Sequence, residues 1–199
     1  MKHLFKQGEQ GKPVFLLLHG TGGTEEDLLP IADMIDPKAS VLSVRGQVNE
    51  NGMSRFFKRL REGVFDEEDL VYRTNELYRF LDWAAEKYEF DRKHVVAIGY
   101  SNGANIAGSL LFHYKQVLLG AILFHPMVPR RGVSLPDMSN LPIFIGAGTN
   151  DPLCKPEETK DLKDLLEGAY ARVHLYWENN GHQLTEAEVY EAKKWYTSI

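Results

Sequence analysis

The sequence predicts an α/β fold, a mostly parallel central sheet with helices on both faces. Three observations carry that prediction. Strand-length apolar runs alternate with longer amphipathic segments along the whole chain. Most of those runs are near-continuous Val, Ile, Leu and Phe, as in strands covered on both faces. Alternation of strand and helix favours parallel pairing through right-handed crossovers.

The elements follow in order. "HLFKQG" (3–8) suits an edge strand and "PVFLLLHG" (13–20) the first buried one. A glycine-rich turn then leads to a helix for which Thr24 is the expected cap. "SVLSVRG" (40–46) is the next strand. The clearest helix runs from Asp66 to Tyr88: Asp66 caps it, and Phe65 and Leu70 form a hydrophobic staple. Leu70, Leu77, Leu81, Ala84 and Tyr88 recur at helical spacing and give it one buried stripe. "HVVAIGY" (94–100) precedes a helix whose Ala104, Ala107 and Gly108 let it lie close to the sheet. "GAILFHP" (120–126), "LPIFIGAG" (141–148) and "ARVHLYW" (171–177) complete the strands. The last helix opens on a capping box, Thr185 with Glu188, stapled by Leu184 and Val189.

A chain of 199 residues suits one domain, 1–199, and no repeat or linker divides it. Its net charge of −5 argues against nucleic acid, since phosphate binding needs clustered Lys and Arg. One cysteine, Cys154, excludes an internal disulfide and a cysteine-based zinc site. No apolar run reaches signal-peptide or membrane-span length, so a cytoplasmic protein free of membrane is expected.

Ligands of parallel sheets bind at the carboxyl ends of the strands. Ser101 stands there, in "GYSNG", between a strand and a helix, as the G-x-S-x-G elbow requires. Gly99 and Gly103 fit because the elbow strains the backbone and leaves no room for side chains beside it. A serine nucleophile needs a base, and the base an orienting acid. Of the later histidines, His113 falls in a helix and His174 within a strand. His182, in "NNGHQLT", lies on a loop between a strand and a capped helix and is the expected base. His125 closes the strand "AILFHP" and is expected beside the pocket, as a support or a substrate contact. Asp151, just past a buried strand in "GTNDP", is the expected acid. Cys154 has no base in view and reads as a structural thiol.

The oxyanion needs N–H donors. Asn102, after the nucleophile, supplies one; Thr21, in "HGTGG", supplies the other. His19 and Gly22 in that loop are expected to brace and line the site. The loop matches neither G-x-x-x-x-G-K-[ST] nor G-x-G-x-x-G, which disfavours a phosphate cradle.

With "HGTGG", "GYSNGA", "GTNDP" and "NGH" in this order, nearly the whole chain resembles the α/β-hydrolase superfamily. More narrowly it is similar to the phospholipase/carboxylesterase family, which includes acyl-protein thioesterases. The segment "RGQVNENGMSRFFKRLREGVFDEEDL" (45–70) is similar to bacterial hydrolases linked to catechol and hydroquinone resistance. The resemblance implies a cofactor-free, metal-free esterase with Ser101, Asp151 and His182 as its triad, and makes a homodimer an expectation.

Read physically, residues 45–57 follow a strand end and belong at the rim. Arg45 and Arg55 there offer a cation for a substrate carboxylate, and Phe56 and Phe57 an apolar wall. The competing reading pairs the arginines with acids such as Glu50 and puts the phenylalanines in the core. Only "MVPRRGVSLPDMSN" separates the strands at 120–126 and 141–148, so no cap domain fits, and Met127 and Val128 are left to shape the acyl side. An open site suits a serine carboxylesterase acting on small to medium soluble esters. An acyl thioesterase uses identical machinery. Dienelactone-type hydrolysis fits less well, because those enzymes generally place Cys where Ser101 stands. A hydrolase-fold module that binds without turnover is the reading from another class.

Overall fold

A computed structural model describes residues 1–199. In chain order the elements begin β1 (His3–Lys6), β2 (Val14–Leu18), α1 (Leu29–Ile35) and β3 (Ser40–Val44). Two short hairpins follow, β4 (Val48–Glu50) with β5 (Met53–Arg55) and β6 (Arg59–Arg61) with β7 (Val64–Phe65). The remainder alternates: α2 (Glu67–Tyr88), β8 (Val95–Tyr100), α3 (Asn102–His113), β9 (Gly120–Phe124), β10 (Pro142–Gly148), α4 (Pro156–Gly168), β11 (Arg172–Glu178) and α5 (Glu186–Tyr196).

Seven strands form one sheet in the order β1-β3-β2-β8-β9-β10-β11, parallel throughout except for β1 against β3. This is the α/β-hydrolase fold. The near-continuous apolar runs have a simple cause. Along β2, Val14, Leu16 and Leu18 enter one core, and Phe15 and Leu17 enter the other. Strands β8 and β9 alternate in the same way, so each strand needs apolar residues on both sides. The larger core packs α2, α3 and α4 on one face; the smaller packs α1 and α5 on the other.

Helix α2 begins where its cap dictates: the Asp66 side chain accepts the N–H of Asp69, and Leu70, Leu77, Leu81 and Ala84 are buried. Both bonds of the Thr185–Glu188 capping box are formed at α5. Thr24 does not cap α1. That helix starts later, with Leu28 as its N-cap and Pro30 in the first turn, and Thr24 instead closes a turn with Asp27 and Glu26. Between β9 and β10 there is only irregular chain, with no helix to form a cap.

Candidate active site

Four loops meet at the carboxyl ends of β2, β8, β10 and β11, and each brings one of the expected groups. Ser101 follows β8 with φ 50° and ψ −113°, a conformation costly for a residue with a Cβ. It persists because its surroundings fix it: Ser101 N–H donates to Phe124 O at 2.9 Å, and Ser101 O accepts from Asn105 N. Helix α3 then runs so close to β2 that a Cβ on Gly103 would stand 1.9 Å from Leu18 O. Only glycine permits that approach.

Ser101 Oγ lies 2.8 Å from His182 Nε2, and His182 Nδ1 lies 2.7 Å from Asp151 Oδ2. The His182 loop is anchored from below. Tyr100 Oη donates to His182 O at 2.6 Å, and Gly181 N–H donates to Asn150 Oδ1 at 2.8 Å. Asp151 is 4% exposed, and its Oδ1 accepts the N–H groups of Leu153 and Cys154 at 2.8 and 2.9 Å. Burial alone would raise its pKa. The hydrogen bonds from His125, His182 and the two backbone amides overcome that and hold the carboxyl well below its usual range.

A cavity of about 310 Å³ opens over Ser101. Thr21, Asn102, Arg55, Met127 and His182 line it, together with Met53, Arg59, Phe65, Tyr100, Asn105 and Leu153. The N–H groups of Thr21 and Asn102 make no hydrogen bond within the protein. A larger concavity of about 1100 Å³ lies at the opposite, amino end of the strands, beside Pro13, His94, Leu119 and Pro142; its one serine, Ser139, is bonded to Asp137.

Several expected substrate contacts are not brought to this cavity. His19 is 1% exposed, its Nδ1 bonded to Gly20 O and its Nε2 accepting Gly46 N–H, so it braces the loop and has no group left for a ligand. Gly22 turns away, with its N–H on Ser54 O. Phe56 packs in the core against the His19 ring, and Phe57 is fully buried; Met53 and Phe65 supply the apolar wall instead. Arg45 pairs with Glu25 away from the cavity. His125 borders the cavity at 1% exposure, yet both its ring nitrogens face acids, Asp151 Oδ2 at 2.9 Å and Glu188 Oε1 at 3.0 Å. Its Nδ1 is bonded to Asp151, while Nε2 lies beside Glu188 without a formed hydrogen bond and points away from Asp151. Met127 keeps its place on the wall, whereas Val128 is core. Cys154 donates to Pro126 O at 2.9 Å, and burial pushes its thiol up to about 12, which removes it as a nucleophile.

Arg55 does reach the cavity. It is 4% exposed, with Nη1 on Thr21 Oγ1 at 2.7 Å, Nε on Phe57 O at 3.2 Å, and Glu50 Oε2 at 3.8 Å from Nη1. Arg59 takes the same carboxylate more closely, at 2.9 Å. Two guanidinium groups therefore share Glu50. Arg59, Met53 and Phe65 escaped the sequence reading because two- and three-residue strands carry too little periodicity to reveal a hairpin.

Comparison with known proteins agrees with this architecture. Residues 51–194 match the model of the dienelactone hydrolase family. The chain is 60% identical to a Bacillus subtilis (strain 168) protein named as the hydrolase MhqD, over 98% of both chains. A carboxylesterase from Bacillus cereus, solved by crystallography, shares 63% identity with a TM-score of 0.99, covering 100% of this chain and 94% of that one. A protein named YahD, solved with malic acid, shares 36% identity with a TM-score of 0.95, covering 99% and 98%. With this fold and these relatives, the chain belongs to the dienelactone hydrolase family and is a carboxylic ester hydrolase.

Proposed function

We propose that the protein is a serine carboxylesterase that hydrolyses small to medium soluble esters through Ser101, His182 and Asp151. One observation carries the reading: an unbroken hydrogen-bonded line from Ser101 Oγ through His182 to Asp151, at a strained strand-to-helix elbow. His182 Nε2 takes the serine proton as Oγ attacks the ester carbonyl. The free N–H groups of Thr21 and Asn102 receive the oxyanion, and His182 protonates the leaving alcohol. Water then repeats the sequence on the acyl-enzyme. Asp151 holds the imidazole with its proton on Nδ1 throughout. The single continuous sheet supports treating residues 1–199 as one catalytic domain.

Arg55 and Arg59 both line the cavity that holds Ser101, share Glu50 between them, and have Glu62 as the one acid on the lining beside them. We assign them to an anionic group on the substrate, a reading in keeping with the malic acid held by YahD. An ester bearing a carboxylate is then preferred over a neutral one of equal size. The expected result for Arg55→Gln is a rise in KM for a hemisuccinate-type ester of roughly ten-fold or more, as for loss of one charge-assisted bond. The KM of a neutral acetate ester should change far less. Equal losses on both esters count against the assignment.

The test of the mechanism is Ser101→Ala against wild type on p-nitrophenyl esters from acetate to octanoate, with one thioester alongside. Loss of a triad member typically lowers kcat about 10⁴- to 10⁶-fold. A fluorophosphonate should label wild type at Ser101 and leave the variant unlabelled. A variant that retains turnover would disprove the role of Ser101. A wild type that neither turns over nor labels supports a binding module. Two expectations stand beside this reading, a cytoplasmic location from the lack of long apolar runs and a homodimer from the resemblance; no helix is long and apolar enough to cross a membrane, and sedimentation reads the oligomer.

A further inference from the structure

Behind Asp151 the line of polar groups does not stop. Asp151 Oδ2 accepts from two imidazoles, Nδ1 of His182 at 2.7 Å and Nδ1 of His125 at 2.9 Å. Its Oδ1 is taken by two backbone amides, so all its acceptor sites are used. A carboxylate offers only acceptors, which means that His125 must carry a proton on Nδ1. On the far side of the ring, Nε2 stands 3.0 Å from Glu188 Oε1. Glu188 is fully buried, and its other oxygen accepts from Thr185 N–H at 2.9 Å and Thr185 Oγ1 at 3.2 Å. Those two donors leave Oε1 to face the His125 ring at ion-pair distance without a formed hydrogen bond, and a proton on Nε2 is what makes so close an approach attractive rather than repulsive.

We propose that His125, held as a buried imidazolium between Asp151 and Glu188, is a positioning residue that lowers the basicity of His182. The proposal rests on the triad reading above. Its chemistry is electrostatic. The Glu188–His125 pair is a dipole with its positive end toward Asp151, and it shares the oxygen that would otherwise serve His182 alone. The imidazolium that forms on His182 when it takes the serine proton is therefore less stabilised by Asp151 than it would be with that carboxylate to itself.

The surroundings were built for this arrangement. His125 has φ 51°, a left-handed backbone unusual for a non-glycine residue, and its N–H is fixed on Gly146 O at 2.7 Å. A Cβ on Gly146 would stand 3.1 Å from Glu188 Oε1 and 2.9 Å from the Phe124 ring, so glycine there leaves the carboxylate its space. The titratable groups facing His125 are Asp151 from the loop after β10, Glu188 from α5, His182 with its ring at 5.1 Å, and Tyr100 from β8 at 6.0 Å. No other cation faces the ring. Burial would make His125 less basic, but the two acids outweigh it and raise its pKa to about 9.

Glu188→Gln removes the negative charge that keeps His125 protonated, and the double variant His125→Asn/Glu188→Gln removes both charges. Asparagine tolerates the left-handed backbone and keeps an N–H for Asp151. In both variants the acid limb of the kcat/KM profile should move to higher pH, by roughly one unit for loss of a neighbouring charge. Below that limb the variants should lose about ten-fold relative to their own values at pH 8. A limb that stays in place or moves down while turnover falls at all pH overturns the proposal and leaves His125 a packing residue. If the variants do not fold, the wild type decides by ¹⁵N NMR of its histidines. His125 should show both ring nitrogens protonated from pH 5 to 8, and a neutral ring at pH 7 overturns the proposal. Fluorophosphonate labelling of wild type separates the two layers: an unlabelled enzyme sinks the triad itself, whereas a labelled enzyme with an unmoved limb sinks only the role of His125.

Discussion

That Ser101, Asp151 and His182 would meet at one edge of the sheet was legible in the sequence for one reason: each lies within a few residues of a strand's end, and strand ends can be found from apolar runs and turn residues. The same logic placed His125 beside them. What it could not show was that both ring nitrogens of His125 face acids, because Glu188 reads in sequence only as a capping-box residue. The bracing role expected of His19 is the one its bonds show, but its place away from the cavity could not be read, since a partner as distant as the Gly46 amide leaves no local signal. Gly103 belongs to this scale too. With Leu18 O 1.9 Å from any added Cβ, Gly103→Ala must push backbone against backbone. A loss of about 3 kcal/mol or more is expected, at the upper end of overpacking costs, read as a lower urea midpoint or a failure to accumulate soluble protein.

At the level of elements, long periodic helices and buried strands declared themselves, and short pieces did not. Helix α2 was fixed by its cap, staple and stripe, all of which are local. The hairpin β4–β5 and the residue after it are held by tertiary contacts, Gly22 N–H on Ser54 O and Phe56 N–H on Asn102 Oδ1, which no window of sequence contains. The start of α1 was misjudged because Thr24 suits a turn as well as a cap, and the chain used it for the turn. Helix α5 makes a prediction. Thr185→Ala removes a formed N-cap bond and should cost about 1 kcal/mol in urea unfolding. It also takes one donor from Glu188, so the acid limb of activity should follow Glu188→Gln in direction by a smaller amount. A stability loss with no movement of the limb separates the cap from the site.

For the whole molecule, the buried pair links folding to pH. His125 is more basic in the fold, at about 9, than the ordinary histidine value of 6.5. Its contribution to stability is therefore complete below pH 6.5 and disappears as pH rises toward 9. Asp151 has the opposite sense: its carboxyl is more acidic in the fold, so its contribution is complete above its ordinary value of 3.8 and disappears in stronger acid. Urea midpoints at pH 6, 7.5 and 9 should decline in wild type, and the decline should flatten in His125→Asn/Glu188→Gln; equal slopes would count against a charged His125. The two hairpins have a consequence of another kind. Ser101, Asp151 and His182 sit on loops at the ends of strands held by the core, whereas much of the cavity wall comes from residues 53–65, a contiguous insert between β3 and α2. On the proposed function, choice of substrate and rate of bond cleavage are then written in separate stretches of chain. A graft of that insert from a relative should exchange selectivity while leaving the engine in place.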